Sequence, residues 1–175
     1  MNDKIKILMI VAKKNFRDEE FQIPFDAFIS EGFDVDIASS TKGGCVGRFD
    51  TKVDAAFSLK SADVSDYSAI VVVGGEGSKE FDDSEDMINL LAEASKHDKV
   101  IGSICRAGVI LAKAGILQGK EATVWNEEGS NAIILEELGA EYVDKDNVID
   151  GKIVTANGPK AAQKFAEDII SLVSS

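Results

Sequence analysis

Three short segments of this chain carry side chains able to do covalent or proton-transfer chemistry: Asp18, Glu19 and Glu20; Gly74, Gly75, Glu76 and Gly77; and Gly102 to Gly108, with Cys105 and Arg106 at its centre. In the third, a nucleophile stands among small residues, as a sharp strand-to-helix turn demands because the backbone passes close by. A helix opening at Ala107 turns its unpaired N–H groups and positive dipole end toward the sulfur, and Arg106 adds a permanent cation, so thiolate is expected over thiol. The competing reading of Cys105 is a small hydrophobe ending a strand. Cys45, among Gly43, Gly44 and Gly47, reads as an incidental loop thiol. Glu20, with Asp18 and Glu19, could equally be a surface carboxylate favoured by a helix dipole. The Gly74–Gly77 run invites a phosphate-cradle reading, but the spacing of a Rossmann fingerprint or a P-loop is absent.

The elements that would position these segments follow from periodicity. Short β-branched runs alternate with stretches of helical period, the pattern of an α/β fold with a mostly parallel sheet covered on both faces. Strands are expected at Ile5 to Ala12, Asp34 to Ser39, Ala69 to Val73, Val100 to Ile104 and Ile153 to Ala156, several of them apolar nearly throughout. Helical spacing marks Phe21, Phe25, Phe28 and Ile29, then Met87 to Ala94, Ala107 to Ala114, Ala132 to Leu138 and Ala161 to Val173, the last entered through Pro159. Ligand sites in such sheets lie outside the carboxyl ends of the strands, where all three segments fall.

With 175 residues, 45% hydrophobic, residues 1–175 are expected to form a single domain. The net charge of −12 opposes phosphate backbones and anionic membrane surfaces, so nucleic acid and membrane are not expected as partners. Two cysteines make neither a disulfide framework nor a zinc site, and no metal is expected. The apolar stretch after Met1, Asn2, Asp3 and Lys4 is broken by Lys6 and is too short for a bilayer span; no signal peptide is expected, and a reducing, cytoplasmic setting fits best.

The run Ile104-Cys105-Arg106-Ala107-Gly108, continuing through Ala114, Gly115, Ile116 and Leu117, resembles the nucleophile elbow of the ThiJ/PfpI (DJ-1/PfpI) family, within the class I glutamine amidotransferase-like superfamily. Glu20, four residues before Pro24, resembles the family's acid after the first strand; Gly74 and Gly75 resemble its glycine pair, and Asn157, Gly158 and Pro159 its last turn. The resemblance covers essentially the whole chain. It implies a flavodoxin-like three-layer sandwich, a homodimer or larger homo-oligomer, and no cofactor. It also implies that Glu20 is protonated and hydrogen-bonds the Cys105 sulfur, and that backbone N–H groups near Gly75 and Arg106 form an oxyanion pocket. Trp125, Asn126 and Asn157 are then expected around that pocket, though ordinary packing explains Trp125 equally well.

Arg106 stands where peptidase-like members of the family carry a histidine, and an arginine cannot act as a base. It could hold a substrate carboxylate or sharpen the thiolate, or point away and pair with one of the many surface acids across a subunit contact. The one histidine, His97, is expected at the far end of the sheet, beyond the fourth strand. Attack on a small reactive carbonyl asks less of the site than peptide cleavage does. A glyoxalase-like or deglycase-like activity, with Glu20 shuttling a proton, is therefore the leading expectation. Oxidation sensing through a sulfinic acid at Cys105, a chaperone-like role, and a peptidase completed by a neighbouring subunit are the alternatives.

Overall fold

The computed structural model describes residues 3–175; Met1 and Asn2 lie outside the described residues. The chain runs β1 (Lys6–Ile10), β2 (Lys14–Phe16), α1 (Asp18–Ser30), β3 (Asp34–Ser39), β4 (Gly43–Gly47), β5 (Lys52–Ala55), β6 (Phe57–Ser58), β7 (Ala69–Val72), α2 (Glu85–Lys96), β8 (Val100–Ile104), α3 (Ala107–Lys113), β9 (Glu121–Ala122), α4 (Ser130–Glu137), β10 (Glu141–Tyr142), β11 (Asn147–Asp150), β12 (Ile153–Ala156) and α5 (Ala162–Val173). Seven strands form the central sheet in the order β11-β12-β8-β7-β1-β3-β6, all parallel except the β11/β12 pair at one edge. This is the mostly parallel α/β sandwich that the alternation of patterns predicts.

The central strands are apolar because both faces are covered. Ile7 to Ile10, Ala69 to Val72 and Val100 to Ile104 are all buried. Helices α1 and α5 pack on one another and, with α2 and α3, cover the sheet. Gly102 owes its lack of a side chain to this packing: a Cβ there would lie 2.8 Å from Ile169 and 2.9 Å from Phe165, both of α5. Its smallness serves the helix-to-sheet contact from within β8, three residues before the turn to which the sequence pattern assigned it.

Register delivers the chemical segments to one edge. Ile10 pairs with Val72, Val72 with Ser103, and Ile104 with Ala156, so the chain leaves β1, β7, β8 and β12 side by side. A second sheet, β2-β4-β5, which no periodicity announces, stands over that edge. It corrects the reading of Cys45, which is a buried residue of β4 and not a loop thiol. It also corrects Asp18: that carboxylate is buried and accepts hydrogen bonds from the N–H groups of Phe49 (2.8 Å) and Thr51 (2.9 Å), fastening the β4–β5 turn to the start of α1. His97 caps the end of α2, at the strand edge opposite this one, and pairs with Glu93 at 3.5 Å. No helix is long and apolar enough to cross a membrane among the described residues.

Candidate functional site

Cys105 occupies a left-handed backbone conformation, φ +62°, between β8 and α3. For a residue with a Cβ this is strained by roughly 1–2 kcal/mol, and the strain is held by two backbone hydrogen bonds: its N–H donates to the Ala156 carbonyl (2.9 Å), and its carbonyl accepts from the Trp125 N–H (3.1 Å). The turn lifts the side chain to the end of the sheet, and the thiol is partly exposed. The backbone N–H groups of Arg106 and Gly75 lie within hydrogen-bonding reach of the sulfur.

Glu20 comes to the same place from α1 and is completely buried. The two side chains meet across Gly74, where a Cβ would lie 2.6 Å from Glu20 Oε2, 2.7 Å from Cys105 Cβ and closer still to the Ile104 carbonyl. Only a residue without a side chain lets acid and thiol share this space. Gly75 adopts φ +100° and packs on the backbone of Phe16 and Arg17, and Arg17 N–H donates to the Gly74 carbonyl at 3.0 Å, which draws the first turn of α1 against the glycine pair.

The electrostatics of the pair are set by burial. Loss of water pushes the Glu20 carboxyl up to about 8, against the opposing pull of the Cys105 contact, the Arg17 charge and the Gly74 N–H. Burial also pushes the Cys105 thiol up to about 12, and a charged Glu20 adds to it, while the N–H groups of Arg106 and Gly75 pull the other way. These protons leave in sequence, because two adjacent buried negative charges are costly. Neither Glu20 oxygen has a fully aligned hydrogen bond, although Cys105 and Gly74 are near enough to couple to it. Of the two, the carboxyl gives up its proton first, at about 8, and the thiol only at about 12, so thiolate beside a neutral acid is the minor singly deprotonated form, favoured by the N–H groups of Arg106 and Gly75. At neutral pH both protons are largely retained, which corrects the expectation of a ready-made thiolate.

Arg106 contributes its N–H to the sulfur but not its charge. Its guanidinium makes a two-pronged ion pair with Asp82, both contacts at 2.9 Å, and reaches Ser78 Oγ at 3.4 Å. Arg106 pairs with an acid, as one sequence reading has it, but the acid lies in the same chain and not across a subunit contact. Trp125 is joined to the elbow through its backbone, and its ring packs against Gly158, where a Cβ would lie 2.9 Å from Cε3. Asn126 and Asn157 are spent on loops: Asn126 Oδ1 accepts from the Ala132 N–H (2.9 Å), and Asn157 Nδ2 donates to Asp146 (3.1 Å). Sequence reasoning passed over Arg17, whose charge acts on both Glu20 and Cys105. Its place directly before the acidic triplet was the available signal. Among the described residues no cluster of His, Cys, Asp and Glu has the makings of a metal site.

Comparison with known proteins gives the family and the fold. The family model for the DJ-1/PfpI family matches residues 5–172. An uncharacterised protein of Methanocaldococcus jannaschii is 41% identical over 170 residues, spanning 96% of this chain and 82% of that protein. Deglycase PfpI of Pyrococcus furiosus is 28% identical over 171 residues, spanning 97% and 99%. Among solved structures, a ThiJ/PfpI domain protein from Brachyspira murdochii superimposes with a TM-score of 0.93 at 25% identity, covering 98% of each chain, and DJ-1beta of Drosophila melanogaster with 0.85 at 27% identity, covering 99% of this chain and 92% of that one. A match over nearly the full length, together with a strained elbow cysteine facing a buried glutamate across a glycine pair, makes this chain a member of the DJ-1/PfpI family.

Proposed function

We propose that the protein acts on small reactive carbonyls, 2-oxoaldehydes and their adducts, through Cys105 as nucleophile and Glu20 as proton carrier. The observation that carries this reading is a carboxyl group that burial keeps protonated near neutral pH, coupled to the thiol of a strained elbow cysteine. Relatives named deglycases, at 24–28% identity over nearly the full chain, support the reaction class.

The working form is the tautomer of the singly deprotonated pair in which the sulfur's proton has passed to Glu20, leaving thiolate beside carboxylic acid. The sulfur attacks the aldehyde carbon; an S–C bond forms, the carbonyl π electrons move to oxygen, and Glu20 gives that oxygen its proton, aided by the N–H groups of Gly75 and Arg106. Glu20, now a carboxylate, takes the hydrogen on that carbon to give an enediol(ate) and returns a proton to the neighbouring carbon, while the hydroxyl proton of the first carbon passes to the second carbon's oxygen, so the first carbon is oxidised to a thioester as the second is reduced to an alcohol. Water then releases the 2-hydroxy acid and the thiolate, and Glu20 is reprotonated. Peptide cleavage finds less support, because the residue after the nucleophile is an arginine locked to Asp82.

Methylglyoxal consumption, followed by loss of the dicarbonyl and appearance of lactate, tests the proposal. Cys105→Ser and Glu20→Gln should each lower the rate by about a hundredfold or more. A rate equal to the parent's in either variant rejects it.

A further inference from the structure

The rim of the site carries a feature that the proposed chemistry does not use. Phe49 projects from the β4–β5 turn and is 59% exposed, an unfavourable place for a large aromatic ring. Two guanidinium groups pack on it: Arg17 Cζ lies 5.2 Å and Arg48 Cζ 5.6 Å from the ring centroid. The turn is not free to wander, since Asp18 accepts from the N–H groups of Phe49 and Thr51, and Arg48 N–H donates to the Phe16 carbonyl at 2.9 Å. Phe16 to Asp18 lead directly into Glu20, and Arg17 N–H is bonded to Gly74, the glycine on which acid and thiol meet. Two cations and an aromatic ring are thus fixed on and against the segment that leads into the buried acid and the glycine on which it meets the partly exposed thiol, in a chain of 31 acidic and 19 basic residues.

The two cations differ in how far they are paired. Glu19 takes Nε of Arg17 at 2.7 Å and Nη2 at 3.3 Å, leaving Nη1 unclaimed among the described residues. Arg48 is exposed and has no ion pair among the described residues, with Glu76 the acid whose carboxyl feels its charge. Glu19 holds the Arg17 fork in place, while the Phe49 face keeps both guanidinium planes ordered.

We propose that Arg17 and Arg48, packed on Phe49 beside the Cys105–Glu20 pair, form an anion-recognition clamp that selects small carbonyl compounds bearing a carboxylate or a phosphate. This rests on the reading of Cys105 as the reacting group, and it assigns the substrate class of that site. The carbonyl carbon would sit at the sulfur with its anionic end directed to the Arg17 Nη1 side, where planar guanidinium donors match two oxygens of the anion.

The test compares two alkylating reagents of nearly equal size, iodoacetate and iodoacetamide, at Cys105 of the full-length protein, read by mass spectrometry. Their rate ratio, taken relative to a free thiol such as N-acetylcysteine ethyl ester, cancels any change in thiol ionisation and reports the local preference for an anion. Despite the net charge of −12, the ratio at Cys105 should exceed that of the free thiol. It should fall about three- to tenfold in Arg17→Gln and in Arg48→Gln, and fall in the parent as salt is raised. Protection of Cys105 from iodoacetamide by glyoxylate and by glyceraldehyde 3-phosphate, each against methylglyoxal, tells carboxylate from phosphate preference. A ratio below the free thiol's, or one unchanged by both substitutions, or protection by methylglyoxal at lower concentration than by either anion, overturns the clamp. Since alkylation needs no turnover, a protein inert toward methylglyoxal that still prefers iodoacetate sinks the proposed reaction and leaves the clamp standing.

Discussion

At the scale of the residue, Cys105 was legible because its chemistry is unusual for its place, a nucleophile among small residues at the end of an apolar strand, whereas Glu20, an ordinary acid at a helix start, stood out only through the family resemblance. Their protonation was not legible, because it depends on how completely Glu20 is sealed, and no local pattern encodes that. Burial has a thermodynamic consequence. The folded carboxyl titrates at about 8 and the unfolded one near the ordinary 4.5, so the native state keeps a proton that the unfolded chain gives up between those values. The stabilisation relative to the ionised chain is complete below about pH 4.5 and is lost as pH rises through about 8, at up to about 1.4 kcal/mol per pH unit. Parent protein should therefore lose stability from pH 5 to pH 8 more steeply than Glu20→Gln, measured by urea unfolding at each pH. Parallel profiles would mean that Glu20 is not held as a buried acid.

The elements show where periodicity works and where it stops. The five central strands and the helices flanking them were readable because each buries a long apolar face. The edge strands β6 and β11 and the sheet β2-β4-β5 were not: they are two to five residues long, partly polar, and held by contacts made far along the chain, such as Asp18 to Thr51. The Gly74–Gly75 turn was readable as special, but what it does for the site lies at Gly74, whose missing Cβ leaves room for Glu20 and Cys105. Gly74→Ala should destabilise the fold by about 1–3 kcal/mol through overpacking and should separate acid from thiol, lowering carbonyl consumption to the level of Glu20→Gln. Parent-like stability together with parent-like activity would contradict the packing described. Arg106 illustrates the limit from the other side: its partner Asp82 is 24 positions away, beyond any spacing rule.

On the scale of the whole molecule, the charge of −12 was plain in the composition, and its effect is a uniform self-repulsion that the fold does not relieve by burying acids, Glu20, Asp18 and Asp168 excepted. Most ion pairs join exposed side chains, such as Lys4 with Asp34, and add little. Screening should therefore stabilise the native state: raising sodium chloride from 20 mM to 0.5 M should increase the Tm by a few degrees in a calorimetric scan at pH 7. A fall in Tm would show that attraction within native ion pairs outweighs the repulsion.

The decisive measurement is the rate of Cys105 alkylation by iodoacetamide as a function of pH, in the parent and in Glu20→Gln. The account requires the parent rate to rise as the pair loses its first proton, around pH 8, with a second, more alkaline step as the remaining proton leaves. Glu20→Gln, with one titrating group left, should show a single step at a displaced pH. Superimposable profiles from the two proteins would mean that thiol and carboxyl do not share their protons, and the dyad at the centre of this account would not exist.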